Sequence, residues 1–232
     1  MIRTLLVALG LFAASVHAAP PQQMNLVYDL YRNGHKLGQV TDTFIRNGNN
    51  YTLTSETRAK GPLKMLWPGS IRLESTGSVT PEGLRPEQFQ HARSDAPHKL
   101  ATARLDWKQR TIVHQYKGES RKTNGLQEGT QDQLSQVYQF MFAPRVPADY
   151  HLNVVTGRKL NDYRYTRTDG GTLETPLGTL ATQRYQRATQ KPDEKAITVW
   201  VAPDRNNLPV QIRVSEDGVT LEQRLVSASI ED

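Results

Sequence analysis

Turn signals divide this chain into short segments, and that punctuation limits the folds open to it more than any other feature. Arg32-Asn33-Gly34-His35 separates NLVYDLY from KLGQVTDTFI, and Asn47-Gly48-Asn49-Asn50 separates that run from YTLTSETR. Asn-Gly between alternating segments predicts a tight hairpin, because both central residues of a type I′ turn need positive φ. Thr80-Pro81-Glu82-Gly83 and Lys108-Gln109-Arg110 continue the pattern. Thr156-Gly157, Asp169-Gly170-Gly171, Thr175-Pro176-Leu177-Gly178, Asp204-Arg205-Asn206-Asn207 and Asp217-Gly218 resume it in the second half. Between these signals residues alternate, as Leu180, Thr182 and Arg184 do against Ala181, Gln183 and Tyr185. Period-two alternation buries one face of a strand and wets the other. The pattern predicts a mainly β fold, an antiparallel meander of roughly twelve strands. Twist makes an open sheet of that size curl, split or close, so a strongly curved sheet or incomplete β-barrel is expected.

One stretch departs from the alternation. In GTQDQLSQVYQFMF, residues 129–142, Leu134, Val137, Tyr138 and Met141 recur at helical spacing, which predicts one covering helix over about residues 131–142. Thr130 followed by Gln133 fits a capping box. Asp132 falls in the first turn, where the helix dipole favours a carboxylate, and Pro144 ends the helix. Thr130, Asp132, Gln133 and Ser135 are therefore expected to start the helix. Ser135 has neither a nucleophile elbow such as G-x-S-x-G around it nor a histidine in its segment.

The first eighteen residues have a basic start at Arg3, an apolar run from Leu5 to Ala14 and the small-residue end Val16-His17-Ala18. This is the pattern of a cleavable secretory signal peptide, with cleavage near Ala18 and a periplasmic product. Residues 19–232 then form a single β-rich domain. No later run reaches the length of about 18 apolar residues that a transmembrane helix requires. The chain has no cysteine, which excludes disulfides, thiolate catalysis and cysteine-based zinc sites. Its net charge of +6 is scattered rather than blocked, so no nucleic-acid partner is expected.

Other chemistry is weakly signalled. His91 and His98 flank Asp95, the one metal-like grouping, but no H-x-H or H-E-x-x-H occurs, and neither a metal nor a cofactor is expected. Glu56 and Glu74 stand in separate strands as a conceivable carboxylate pair. Gly61-Pro62-Leu63-Lys64-Met65-Leu66-Trp67-Pro68-Gly69 sets Leu63, Met65, Leu66 and Trp67 in a loop, where so much apolar surface is unusual. The loop either caps the core or forms an apolar lip.

Several elements together resemble a known family. They are Tyr28-x-Leu30 with His35 and Gly38, Tyr51-x-Leu53, Gly77-x3-Pro81-x-Gly83-Leu84-x-Pro86, and Asp106-Trp107. Asp132-x2-Ser135-x2-Tyr138, Leu173-x-Thr175-Pro176-x-Gly178 and Val199-Trp200-Val201-Ala202-x-Asp204-x4-Pro209-Val210 complete the set. Over nearly all of residues 19–232 the chain is similar to the secreted proteobacterial proteins grouped as domain of unknown function 3108. That resemblance implies no particular reaction. The Val199–Val210 hairpin is also similar to one in the periplasmic lipoprotein carriers, which implies a curved sheet around an apolar interior.

Three functions are compatible with these features. The first is a non-enzymatic binding or chaperone-like protein holding a lipid or other apolar molecule in a barrel cavity. Met65, Leu66 and Trp67 would form its mouth, Leu134, Val137, Tyr138 and Met141 its wall, and Arg58, Lys60, Lys64 and Arg72 would meet a head group. The second is a structural or interaction protein of the cell envelope, with a filled core and a protein or cell-wall partner. The third is a hydrolase using Asp132, Ser135 or a carboxylate pair.

Overall fold

A computed structural model describes residues 20–61, 63–66, 69–189 and 194–231. Residues 1–18, read above as a signal peptide, Trp67 and the side chains of Leu63 and Leu66 lie outside the described residues. From the N-terminus the chain forms β1 (Gln23–Arg32), β2 (His35–Asn47) and β3 (Asn50–Ala59), a single helical turn α1 (Leu63–Leu66), then β4 (Ser70–Thr80) and β5 (Gly83–Arg93). After a 3-10 turn come β6 (Ala101–Asp106), β7 (Thr111–Tyr116), β8 (Glu119–Asn124) and the short β9 (Gln131–Asp132). The main helix α2 (Ser135–Phe142) leads to β10 (Asp149–Val155), β11 (Leu160–Thr175) and β12 (Gly178–Arg187). The chain closes with β13 (Ala196–Ala202), β14 (Leu208–Glu216) and β15 (Val219–Glu231).

Among the described residues fifteen strands join one sheet, in the order β8 to β1 and then β15 to β9. Each strand pairs with its sequence neighbour, except that β1 pairs with β15 and that β9 lies parallel to β10. The sheet is mainly β and strongly curved, and it is not closed, since β8 and β9 remain as edges. Fifteen strands replace the roughly twelve expected. The additional β8 and β9 have no period-two signal: ESRKTN is polar throughout, and β9 has two residues.

The turns follow the sequence with two exceptions. Asn33-Gly34 and Asp217-Gly218 have positive φ at both central residues, as a type I′ hairpin requires. At Gly48-Asn49 only Gly48 has positive φ, the pattern of a type II′ turn. Asp169-Gly170-Gly171 is not a turn. It is a bulge inside the sixteen-residue β11, where the register shifts between Asp169 and Gly171 and the Asp169 carboxylate accepts the Gly171 N–H at 2.8 Å.

Loops seal the two ends of the curl against each other. His114 on β7 hydrogen-bonds the Thr156 carbonyl at 2.9 Å, and Arg158 stacks over Tyr116 at 4.8 Å. Gly157 approaches Ala101 so closely that a Cβ there would lie 2.4 Å from the Ala101 methyl. Only glycine permits that approach.

Helix α2 lies within the curl and contacts β5, β9 and β14. It separates two apolar clusters. Leu134, Tyr138, Met141 and Phe142 join Tyr28, Phe44, Leu53 and their neighbours. Phe140 on another side joins Tyr165, Tyr185 and Val199. Half-buried Val137 touches both clusters. The helix is thus buried nearly all round, which an amphipathic surface helix would not be.

Candidate functional site

The polar residues buried around α2 form two chains of hydrogen bonds. At its start, Asp132 Oδ1 accepts the N–H groups of Leu134 and Ser135, each at 2.8 Å. Ser135 Oγ in turn accepts the Asp132 N–H at 2.8 Å. This reciprocal pair does the work of a capping box, displaced two residues from the Thr130/Gln133 pair that the sequence suggested. Thr130 instead donates to the Gln127 carbonyl at 2.7 Å, and the Gln133 carbonyl accepts from Gln136 at 3.1 Å. The reason lies in β9: Gln131 and Asp132 pair with Val154 and Val155, so the chain is extended where the helix was expected to begin.

The second oxygen of Asp132 ties the helix start to the sheet. It accepts a short hydrogen bond from the Ser75 hydroxyl on β4. That uses the only Ser75 proton, so Tyr51, 2.8 Å away, donates to Ser75. Burial pushes the Asp132 carboxyl up to about 6, against the opposing pull of the Ser135 N–H, Ser75 and the Leu134 N–H. Burial, and then the Asp132 charge, raise Tyr51 well above its usual range.

A second chain fastens the middle of the helix. Tyr138 donates to Asp42 Oδ2 on β2 at 2.5 Å, and Tyr28 on β1 donates to the Pro209 carbonyl at 2.9 Å. Asp42 Oδ1 is buried and makes no well-aligned hydrogen bond. Ser55, directly opposite on β3, acts on it as a nearby dipole. Burial raises the Asp42 carboxyl to about 6, with Ser55 and Tyr138 drawing it back. Burial and the Asp42 charge together hold both Tyr28 and Tyr138 protonated.

Three glutamines of the helix segment complete the attachment. Gln139 accepts the Leu84 N–H at 2.8 Å and donates to the Glu82 carbonyl at 3.0 Å, while Gln131 donates to the Leu84 carbonyl at 2.8 Å. Gln136 accepts the Tyr165 hydroxyl at 3.0 Å. Each bond joins α2 or its approach to a strand or hairpin far away in sequence. The arrangement positions a helix; it leaves no water-filled face on which a substrate could meet Asp132 or Ser135. No histidine or lysine hydrogen-bonds to Ser135 among the described residues, so nothing there removes its proton.

The remaining residues singled out in the sequence are dispersed. Leu134, Tyr138 and Met141 pack in the core. Arg58 pairs with Glu56 at 2.6 Å and Arg72 with Glu74 at 2.8 Å, all on the outer face of the sheet. Glu56 and Glu74 are thus each held by an arginine. Lys64 is exposed, and Met65 on α1 is 88% exposed. The helix residues and the arginines therefore stand on opposite faces of the sheet and share no site. Among the described residues no three His, Asp or Glu side chains come together as metal ligands. The His91 pKa is lowered by burial and by Arg93, Lys195 and Arg158.

The comparisons with known proteins agree with this architecture. A family model described as Protein of unknown function (DUF3108) matches residues 27–224. The chain belongs to this family. No curated protein matches the chain. Among solved structures, a β-barrel-like protein of domain of unknown function DUF1849 from Brucella abortus is similar in fold. It has a TM-score of 0.60 at 12% identity, covering 92% of this chain and 100% of that one. A DUF1329 family protein from Desulfovibrio piger aligns with a TM-score of 0.22 at 10% identity, over 90% of this chain and 86% of that one, too low to bear on the fold.

In this member of the DUF3108 family the buried residues Tyr28, Asp42, Tyr51 and Ser75 complete the environment of α2. Tyr28 and Tyr51 entered the sequence reading only through the family resemblance, and Asp42 and Ser75 were not singled out. Their signal is phase: Asp42 alternates in step with Val40 and Phe44, and Ser75 with Leu73 and Gly77, so each is a polar side chain on a buried face.

Proposed function

We propose that this protein is a non-enzymatic periplasmic protein of the cell envelope that acts through the surface of a filled β shell. One observation carries the reading. Tyr28, Phe44, Leu53 and Tyr138, which line the space around α2, are 0% exposed. Side chains bordering a cavity large enough for an acyl chain would present free surface to it. The space that a carrier would keep for cargo is here taken up by the aromatic side chains of α2 and of the strands around it. The two buried carboxylates serve helix attachment, which supports a role without catalysis.

The test is extraction of protein purified from envelopes with organic solvent, followed by mass spectrometry of the extract and of the intact chain. The expected result is a chain that begins near Ala19 and carries no stoichiometric lipid. Recovery of one apolar molecule per chain would overturn the reading. It would favour instead carriage of an apolar molecule, for which the exposed Met65 beside Lys64 is the supporting feature.

A further inference from the structure

The outer face of β2 to β8 carries an unusual ladder of side chains. One row from β3 to β8 runs Thr52, Thr76, Gln88, Arg104, Val113 and Lys122, and the next runs Thr54, Glu74, Gln90, Thr102, Gln115 and Ser120. A groove of about 470 Å³ opens where these rows cross β4 to β7. It lies over the pairing of β5 with β6, which extends over only four positions, from Gln88–Arg104 to His91–Ala101. Beyond Gln88 the two strands part. A second groove of about 250 Å³ follows the gap, shares Gln88 and Arg104 with the first, and ends at Trp107. Trp107 is held at that end by its N–H bond to the Pro86 carbonyl at 2.8 Å and by Arg85, stacked 4.5 Å from its ring.

We infer that this groove binds a neutral glycan chain. The argument rests on the reading of a shell that acts through its surface. Along the ladder the backbone groups are committed to strand pairing, so recognition must come from side chains. Among the described residues the side chains of Thr76, Gln88, Gln90 and Arg104 make no hydrogen bond or ion pair within the protein. Amides and hydroxyls offer donors and acceptors side by side, the complement of vicinal hydroxyl and acetamido groups. Charge excludes the main competitors. Glu74 is neutralised by Arg72, and Arg104, with the exposed Lys122 next to Val113 on β8, is balanced by Glu87 and Asp106 in the adjoining groove, so a polyanion finds no net positive surface. A peptide added as a strand would need a free edge, whereas β4 to β7 are paired on both sides. The groove is too polar for an acyl chain, and its size lies within the usual range of small-ligand sites, about 300 to 1,000 Å³.

The experiment titrates the mature protein with a β-1,4-linked N-acetylglucosamine tetramer and with maltotetraose, following Trp107 fluorescence and the glutamine side-chain amide signals by NMR. The expected result is saturable binding of at least one tetramer, weakened about tenfold or more in a Gln88→Ala/Gln90→Ala variant, since each lost pair of hydrogen bonds is worth on that order. Both glutamines point outward, so the thermal midpoint should not move. Polyglutamate is the charged control. Absence of saturable binding for both sugars, equal binding by the double variant, or preferential binding of polyglutamate would each overturn the inference. A lipid found inside the shell would instead sink the filled-core reading and leave the sugar titration to be judged on its own outcome.

Discussion

Asp42→Asn should remove a defined part of the pH dependence of stability. Asp42 sits under Tyr138 with one oxygen unmatched, and burial raises its carboxyl from 3.8 to about 6. In the unfolded chain it ionises near 3.8. Between those values the folded state holds a proton that the unfolded state has lost, so stability from this group is full below 3.8 and is lost as the pH rises through 6. The full difference corresponds to about 3 kcal/mol at about 1.36 kcal/mol per pKa unit. Between pH of about 7.5 and about 4.5 the linkage relation gives a gain of about 2 kcal/mol. His91 and His114, whose pKa values are lowered by burial, act in the opposite direction below their usual 6.5, so the wild-type curve alone mixes the effects. The asparagine variant retains an acceptor for the Tyr138 hydroxyl but cannot titrate. Urea unfolding followed by tryptophan fluorescence at the two pH values should therefore give a wild-type acid gain exceeding that of Asp42→Asn by about 2 kcal/mol. Equal responses of the two proteins would refute the assignment of a protonated Asp42 in mild acid.

Two further substitutions test how α2 is held. Phe140→Ala removes a ring that contacts Tyr165 at 5.8 Å and Tyr185 at 4.7 Å between centroids, and it should destabilise the protein by about 3–5 kcal/mol in the same urea assay. Gly83→Ala should cost about 2 kcal/mol or more, since Gly83 has φ +113 and a Cβ would fall 2.5 Å from the Gln139 amide nitrogen. Adding Gln139→Ala should return part of that loss, so a double-mutant cycle that came out additive would show that the two residues do not meet.

The fold was legible wherever a strand had one wet and one dry face. Strands β1 to β5 alternate in sequence and in burial, and their hairpins fall at Asn33-Gly34, Gly48-Asn49 and Thr80–Gly83. Legibility failed where only a neighbouring segment supplies the reason for a conformation. Glu119–Asn124 is an edge strand, with solvent on both faces of its side chains and charged residues that discourage further pairing. Asp169-Gly170-Gly171 has turn chemistry, yet the strand runs on because β12 continues beside it and absorbs the extra residue as a bulge. Gln131 and Asp132 satisfy a helix-start pattern in isolation, but β10 draws them into the sheet. In each case the local preference was real and a tertiary hydrogen-bond partner outweighed it.

The helix shows the same limit more sharply, because its function in the fold is polar as much as apolar. Its apolar positions, Leu134, Tyr138 and Met141, were readable as a stripe, and all three reach the core. Ser135, Gln136 and Gln139 lie off that stripe and would be assigned to solvent by periodicity alone, yet they are buried as well. Burying such side chains without partners would cost several kcal/mol in total, and each is matched instead: Ser135 with Asp132, Gln136 with Tyr165, Gln139 with the backbone around Leu84. The partners come from residues up to 57 positions away, as with Gln139 and Glu82. An apolar ligand could not supply those bonds. On the proposed reading, a helix whose buried polar side chains are engaged by the sheet belongs to the shell, and the side chains left to meet a ligand are the unengaged amides on the outer face.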